Sequence, residues 1–171
     1  MINIQDLING SHLEDNFAGL ADGSEMHYNA AWQTYSPTWT TSGTQPSIGN
    51  GTLTGRYIKI GRLVFCKIFF QAGSSTTFGT GGWLFALPFN NSTVDYPTGH
   101  HTVGECYLED NAVVGYVGVI RILSTQQNKI QLSAMTATGT WAGDSTVTAT
   151  VPFTWANTDW FTSWFFYESE E

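Results

Sequence analysis

Two-residue alternation dominates the chain from Trp32 onward, and it predicts strands. The clearest is Leu63–Gln71, where Val64, Cys66, Ile68 and Phe70 point one way and are all apolar. Leu63, Phe65, Lys67, Phe69 and Gln71 point the other way and are mixed. Successive side chains of a strand face opposite sides, so one face reads as core and the other as a second surface. Arg56–Ile60 is predicted as the preceding strand, with Gly61-Arg62 as a two-residue hairpin turn. Further strands are expected at Trp83–Leu87, Val113–Leu123, Ile130–Ala134, Ser145–Val151 and Asp159–Tyr167. Pro88 and Pro152 punctuate two of them, because proline cannot donate to a ladder. Residues 33–54, rich in Ser, Thr, Gly and Pro, read as short extended pieces with turns.

The first 31 residues follow a different pattern. Ser11-His12-Leu13-Glu14 has the form of a capping box, and Leu13, Phe17 and Leu20 then recur at helical spacing. Gly19 and Gly23 keep any such helix short. Alone it would be marginal, so it is expected to pack on something else. Two readings stay open: a helix lying on its own domain, or an attachment arm whose apolar residues Ile4, Leu7, Leu13, Phe17 and Leu20 dock on a partner. The expected organisation is therefore an arm over residues 1–31 with a little helix, and a β domain over residues 32–171. About eight short strands, without long helices for crossovers, predict an all-β fold: an antiparallel β-sandwich, jelly-roll-like.

Composition agrees. Charged residues are 12%, aromatic residues 15%, with 18 Gly and 23 Thr among 171 residues. Side chains of these kinds suit pleated, half-buried surfaces and tight turns. The net charge of −8 and only six Lys and Arg argue against nucleic acid as a partner, since neutralising phosphates needs clustered cations. An anionic membrane surface is disfavoured for the same reason. No run of about 18 apolar residues occurs, so no membrane insertion is expected, and residues 1–15 lack the basic start and apolar run of a secretory signal. Two cysteines, Cys66 and Cys106, do not make a disulfide framework, and Cys66 lies in an apolar run as a buried thiol.

His100-His101 with Glu105 and Cys106 resembles a metal set only in composition. Adjacent strand histidines diverge, and His101 and Glu105 would lie roughly 13 Å apart along a strand, too far for a shared zinc. Asp95, Glu105, Glu109 and Asp110 could pair as glycosidase carboxylates, but nothing marks any two of them, so loop histidines and solvated loop acids are the default reading here, and Asp144 follows turn-like Trp141-Ala142-Gly143. The chain has no Gly-x-Ser-x-Gly and no phosphate loop. The expectation is no catalytic residue, no cofactor and no metal. Seven tryptophans leave sugar stacking open, with Trp39, Trp83 and Trp141 as candidate glycan contacts.

The last strand bears on assembly. Trp160, Trp164 and Phe166 share one face, and Phe161, Phe165 and Tyr167 the other. A sandwich strand has one wet face, so rings on both faces need a second cover. A neighbouring subunit is one candidate, and the arm or a loop is the other. The expected oligomer interface comprises Phe65, Phe69, Phe161, Phe165 and Tyr167.

One ordered series of turns and strands resembles a known family. Trp32-Gln33-Thr34-Tyr35-Ser36-Pro37-Thr38-Trp39-Thr40, then residues 45–57 from Gln45-Pro46-Ser47 to Gly55-Arg56-Tyr57, then Gly61, is similar to a β domain of bacteriophage virion proteins. These are tail, fibre and head-surface proteins of phages infecting actinobacteria. Gly81-Gly82-Trp83-Leu84-Phe85-Ala86-Leu87-Pro88, Pro152-Phe153-Thr154-Trp155-Ala156 and the closing Tyr167-Glu168 continue the likeness over roughly residues 32–168. The resemblance implies a non-enzymatic virion protein, a homotrimer with a β-sandwich head, assembled in the host cytoplasm and displayed on the virion surface. Its implied partners are its own copies and the major capsid or tail protein, with residues 1–31 as the attachment arm. Head decoration or spike is the leading version. A minor tail or fibre protein recognising host-surface carbohydrate is the alternative.

Overall fold

The computed structural model describes residues 31–138 and 141–170. The predicted arm, with Ile4, Leu7, Leu13, Phe17 and Leu20, lies outside the described residues. Ten strands follow one another: β1 Gln33–Tyr35, β2 Trp39–Thr41, β3 Thr52–Ile60, β4 Leu63–Gln71, β5 Trp83–Ala86, β6 His100–Asp110, β7 Val114–Leu123, β8 Lys129–Thr138, β9 Trp141–Thr146 and β10 Trp160–Glu168. All pairings are antiparallel, in the order β1-β3-β4-β10-β6-β7-β8-β5-β2, with β9 beside β8. No helix occurs among the described residues.

The all-β antiparallel expectation holds, with one refinement. The two layers of the sandwich belong to one continuous sheet rolled into a half-barrel. Chain connectivity shows why it rolls. The strands at the two ends of the order, β1 and β2, are joined only by Ser36, Pro37 and Thr38. A link of that length spans at most about 14 Å, so the ends of the sheet must come together. Once rolled, β2 and β5 face β4 and β10. Trp39 packs edge-on against Phe70 with centroids 5.1 Å apart, and Phe85 meets Phe161 at 5.2 Å. Trp83 packs against Phe70 at 5.7 Å and against Trp155 at 4.8 Å. The core is thus a cluster of rings, completed by Ile68, Leu108, Ile120, Ile122, Ile130 and Leu132. Rings offset or edge-on at such distances add to the large apolar area that each of them buries.

The β3–β4 hairpin has the predicted turn: Gly61 takes φ 58, a conformation that glycine adopts without strain. Three expectations need correction. His100–Asp110 is the longest strand, where a loop with scattered acids was expected. Trp141–Thr146 pairs with β8 instead of turning, and beyond it the predicted Ser145–Val151 strand reduces to a Thr148–Val151 bridge. In β6 a register shift between Thr102 and Gly104 breaks the alternation that marks a strand.

Candidate functional site

The strand β10 lies between β4 and β6, and its register sets the site. Phe161, Phe165 and Tyr167 pair with Phe70, Cys66 and Val64 and face the core. The opposite parity therefore faces outward: Trp160, Thr162, Trp164 and Phe166. Across the strands these residues form rows. Ile58, Phe65 and Phe166 make one. Arg56, Lys67, Trp164 and Glu105 make the next. Thr54, Phe69, Thr162, Tyr107 and Val117 make the third, and Gln71, Trp160 and Glu109 the fourth.

This face is apolar and open. Trp164 is 53% exposed, Phe166 49% and Phe65 40%. The rings touch one another: Phe65 and Phe166 at 6.0 Å, Phe69 and Trp160 at 6.4 Å, Tyr107 and Trp160 at 5.6 Å. Isolated exposed hydrophobics are normal, but a contiguous field of rings marks a contact surface. The buried Asp159 fixes where the field begins. Its carboxylate accepts the backbone N–H of Asn111 at 3.0 Å and of Ala156 at 2.6 Å, which holds the chain entering β10.

Charge is divided across the face. On the β3–β4 side the exposed Arg56 and Lys67 both lie over the Trp32 ring, 5.5 and 5.2 Å from its centroid. On the β6 side stand Glu105 and Glu109. Trp164 sits between Lys67 and Glu105 in its row. None of the ion pairs among the described residues joins these four charged groups. The Tyr107 phenol pKa is raised, first by the hydrogen bond through which its hydroxyl proton is held by the Glu109 carboxylate, then by desolvation and by the nearby negative charge.

The expected interface residues divide accordingly. Phe65 and Phe69 lie on the exposed face. Phe161, Phe165 and Tyr167 do not: they are at most 1% exposed and line the core. Of the two aromatic faces of β10, the roll of the sheet buries this one, and its sequence neighbours Trp160, Trp164 and Phe166 take the surface. Trp39 and Trp83 are likewise corrected as glycan contacts, since both are core rings with centroids 4.7 Å apart and no room for a sugar between them. The Trp141 side chain lies outside the described residues. Trp32 and Tyr107 were missed. The signal that could have found Tyr107 is its alternation with Cys106 and Leu108, hidden by the nearby bulge.

Elsewhere the chemistry is subdued. Burial pushes the Cys106 thiol pKa up to about 12 and raises Cys66 as well, which keeps both protonated and unreactive at neutral pH. The His101 ring packs against Tyr96 at 5.3 Å, with Nε2 2.7 Å from the Thr98 carbonyl oxygen. No group of three His, Cys, Asp or Glu positioned for a metal occurs among the described residues. A cavity of about 240 Å³ is lined by Leu87, Pro88, Phe89, Asn90, Asn128 and Glu170, with one carboxylate and no second titratable group.

No family model and no curated protein sequence matches the chain. Among solved structures, the fold is similar to the Dettilon tailspike protein (gp208), with a TM-score of 0.51 and 12% identity. The match covers 81% of this chain and 23% of that one, so the chain corresponds to under a quarter of the tailspike's length. At that identity the likeness is one of fold.

Proposed function

We propose that this chain is a non-enzymatic structural protein of a bacteriophage virion, a homotrimer displayed on the particle surface and attached through residues 1–31. The observation that carries the reading is the exposed ring field on β4, β10 and β6, with Trp164 and Phe166 about half exposed. A protein left with such a surface is built to be covered by another. The fold it shares with a tailspike protein supports a particle component, and burial keeps the Cys106 and Cys66 thiols protonated in the core. A capsid decoration or head spike is the version we favour. Sedimentation equilibrium of the full chain, together with its copy number on purified particles, tests this. Three chains per complex and hundreds of copies support a trimeric head decoration. A monomer absent from particles overturns it.

A second reading has its own observation. Trp164 presents an open ring between Lys67 and Glu105, an arrangement that can stack on a sugar and hydrogen-bond its hydroxyls. In that case the protein is a tail component recognising host-surface carbohydrate. Glycan-array binding that disappears in Trp164→Ala favours this reading, and no binding at high concentration removes it.

A further inference from the structure

We infer that the outer face of β3, β4, β10 and β6 is the contact between copies of this chain, with the cationic half of one copy set against the acidic half of the next. This rests on the self-associating reading above and specifies its surface. Three observations carry it.

The first is area. Four rows about 6.8 Å apart on four strands about 4.8 Å apart give a footprint of roughly 500 Å². A stable interface covers about 800 Å² per partner. The face is thus more than half of one partner's share of a stable interface and too large for a single sugar ring.

The second is composition. Rings fill the outward face of β10 with Trp160, Trp164 and Phe166, and on the adjoining strands they alternate with charges, Lys67 between Phe65 and Phe69 and Tyr107 between Glu105 and Glu109. Aromatic residues are enriched in protein contacts, and charges set among them fix the register of the partner.

The third is charge order. Arg56 and Lys67 lie on one side of β10, and Glu105 and Glu109 on the other. A face that is positive on one flank and negative on the other is complementary to itself. A second copy, related by a closed rotation, can place Lys67 and Arg56 opposite the neighbour's carboxylates while the ring columns meet. The chain is strongly acidic overall, at −8, so copies approaching in any other register would repel. Two cations on this face beside two carboxylates remove that repulsion locally. A partner of different sequence would need no such division.

The test uses the full chain in sedimentation velocity over a concentration series, with far-UV circular dichroism to confirm folding. Trp164→Asp, exposed and away from the core, should weaken association about thirtyfold or more, as expected for a central ring of a contact. Arg56→Glu with Lys67→Glu should dissociate the oligomer, and adding Glu105→Lys and Glu109→Lys should restore it, since the order of charges is merely exchanged. Restoration supports the proposed register. An oligomer indifferent to all these changes overturns this surface and leaves the oligomeric reading intact. A wild-type monomer overturns both. A monomer that binds glycans through Trp164 does the same and assigns the face to carbohydrate.

Discussion

The two faces of β10 carry almost the same side chains and meet opposite fates. Inward, Phe161, Phe165 and Tyr167 are fully enclosed, and the Tyr167 hydroxyl donates to the Phe89 carbonyl oxygen at 2.9 Å. Outward, Trp160, Trp164 and Phe166 lie among Lys67, Glu105 and Glu109. Hydrophobic content therefore does not decide which face is core. The roll of the sheet does, by bringing β2 and β5 over one side only. The inner rings stabilise the monomer, and the outer rings remain available for a partner. The same substitution should act on folding when made inside and on association when made outside.

That contrast can be broken most strongly at Phe161. Phe161→Ala removes a ring that stacks on Phe70 at 5.4 Å and meets Phe85, and should cost about 3–5 kcal/mol by urea unfolding. A loss like that of Phe166→Ala would mean that the faces are not distinct. Asp159→Ala leaves the N–H groups of Asn111 and Ala156 without their acceptor, and should cost about 1–3 kcal/mol by the same measurement. Gly104→Ala should cost a similar 1–3 kcal/mol, because the added carbon meets the Trp164 carbonyl oxygen and the Phe165 Cβ where β6 passes β10. Thermal melts compared with Gly99→Ala, where the added carbon meets nothing within 4 Å, separate crowding from backbone strain.

Alkaline pH sharpens the comparison from the inner side. The core thiols and the buried Tyr35 and Tyr167 all have raised pKa values, chiefly through desolvation. The folded chain holds these protons when the unfolded chain has released them, so stability is fully present below about pH 8.5. It should decline as pH rises toward the folded Cys106 value of about 12. Denaturation midpoints at pH 7.5, 9 and 10 check the sign; rising stability would contradict burial of these groups. The smallest effect is expected outside. Trp164→Ser should change monomer unfolding by no more than about 0.5 kcal/mol when measured at high dilution. The same variant should abolish any dependence of the melting temperature on protein concentration.

Much of the fold was legible in the sequence. The β4 boundaries, Leu63–Gln71, and the Gly61-Arg62 turn match the structure. The last strand is displaced by a single residue, from Asp159–Tyr167 to Trp160–Glu168. What failed did so for local reasons. In His100–Asp110, Gly104 and the shift at Thr102 put Val103, Cys106 and Leu108 out of strict alternation, so a long strand looked like a loop. In Trp141–Thr146, Gly143 and Asp144 look like turn residues. Asp144 instead pairs with Arg121 at 2.6 Å across the intervening β8. The candidate site was half legible, because Phe65 and Phe69 have Lys67 and Gln71 as face-mates and so read as outward. The last strand offers no such mark, since Thr162 on its outward face is matched by Ser163 on its inward face.

The sequence alone determined that the chain from Trp32 onward is β, that its strands have two distinguishable faces, and that it carries more rings than one sheet face can hide. These are properties of neighbouring residues and are written in the two-residue period. Tertiary structure alone decided that β10 runs between β4 and β6, and thus that Phe166 lies beside Phe65, about a hundred positions away in the chain. It also decided that Arg56 and Lys67 stand across a tryptophan from Glu105. Register between strands distant in sequence depends on how the whole sheet rolls to enclose its core, and no local alternation encodes it.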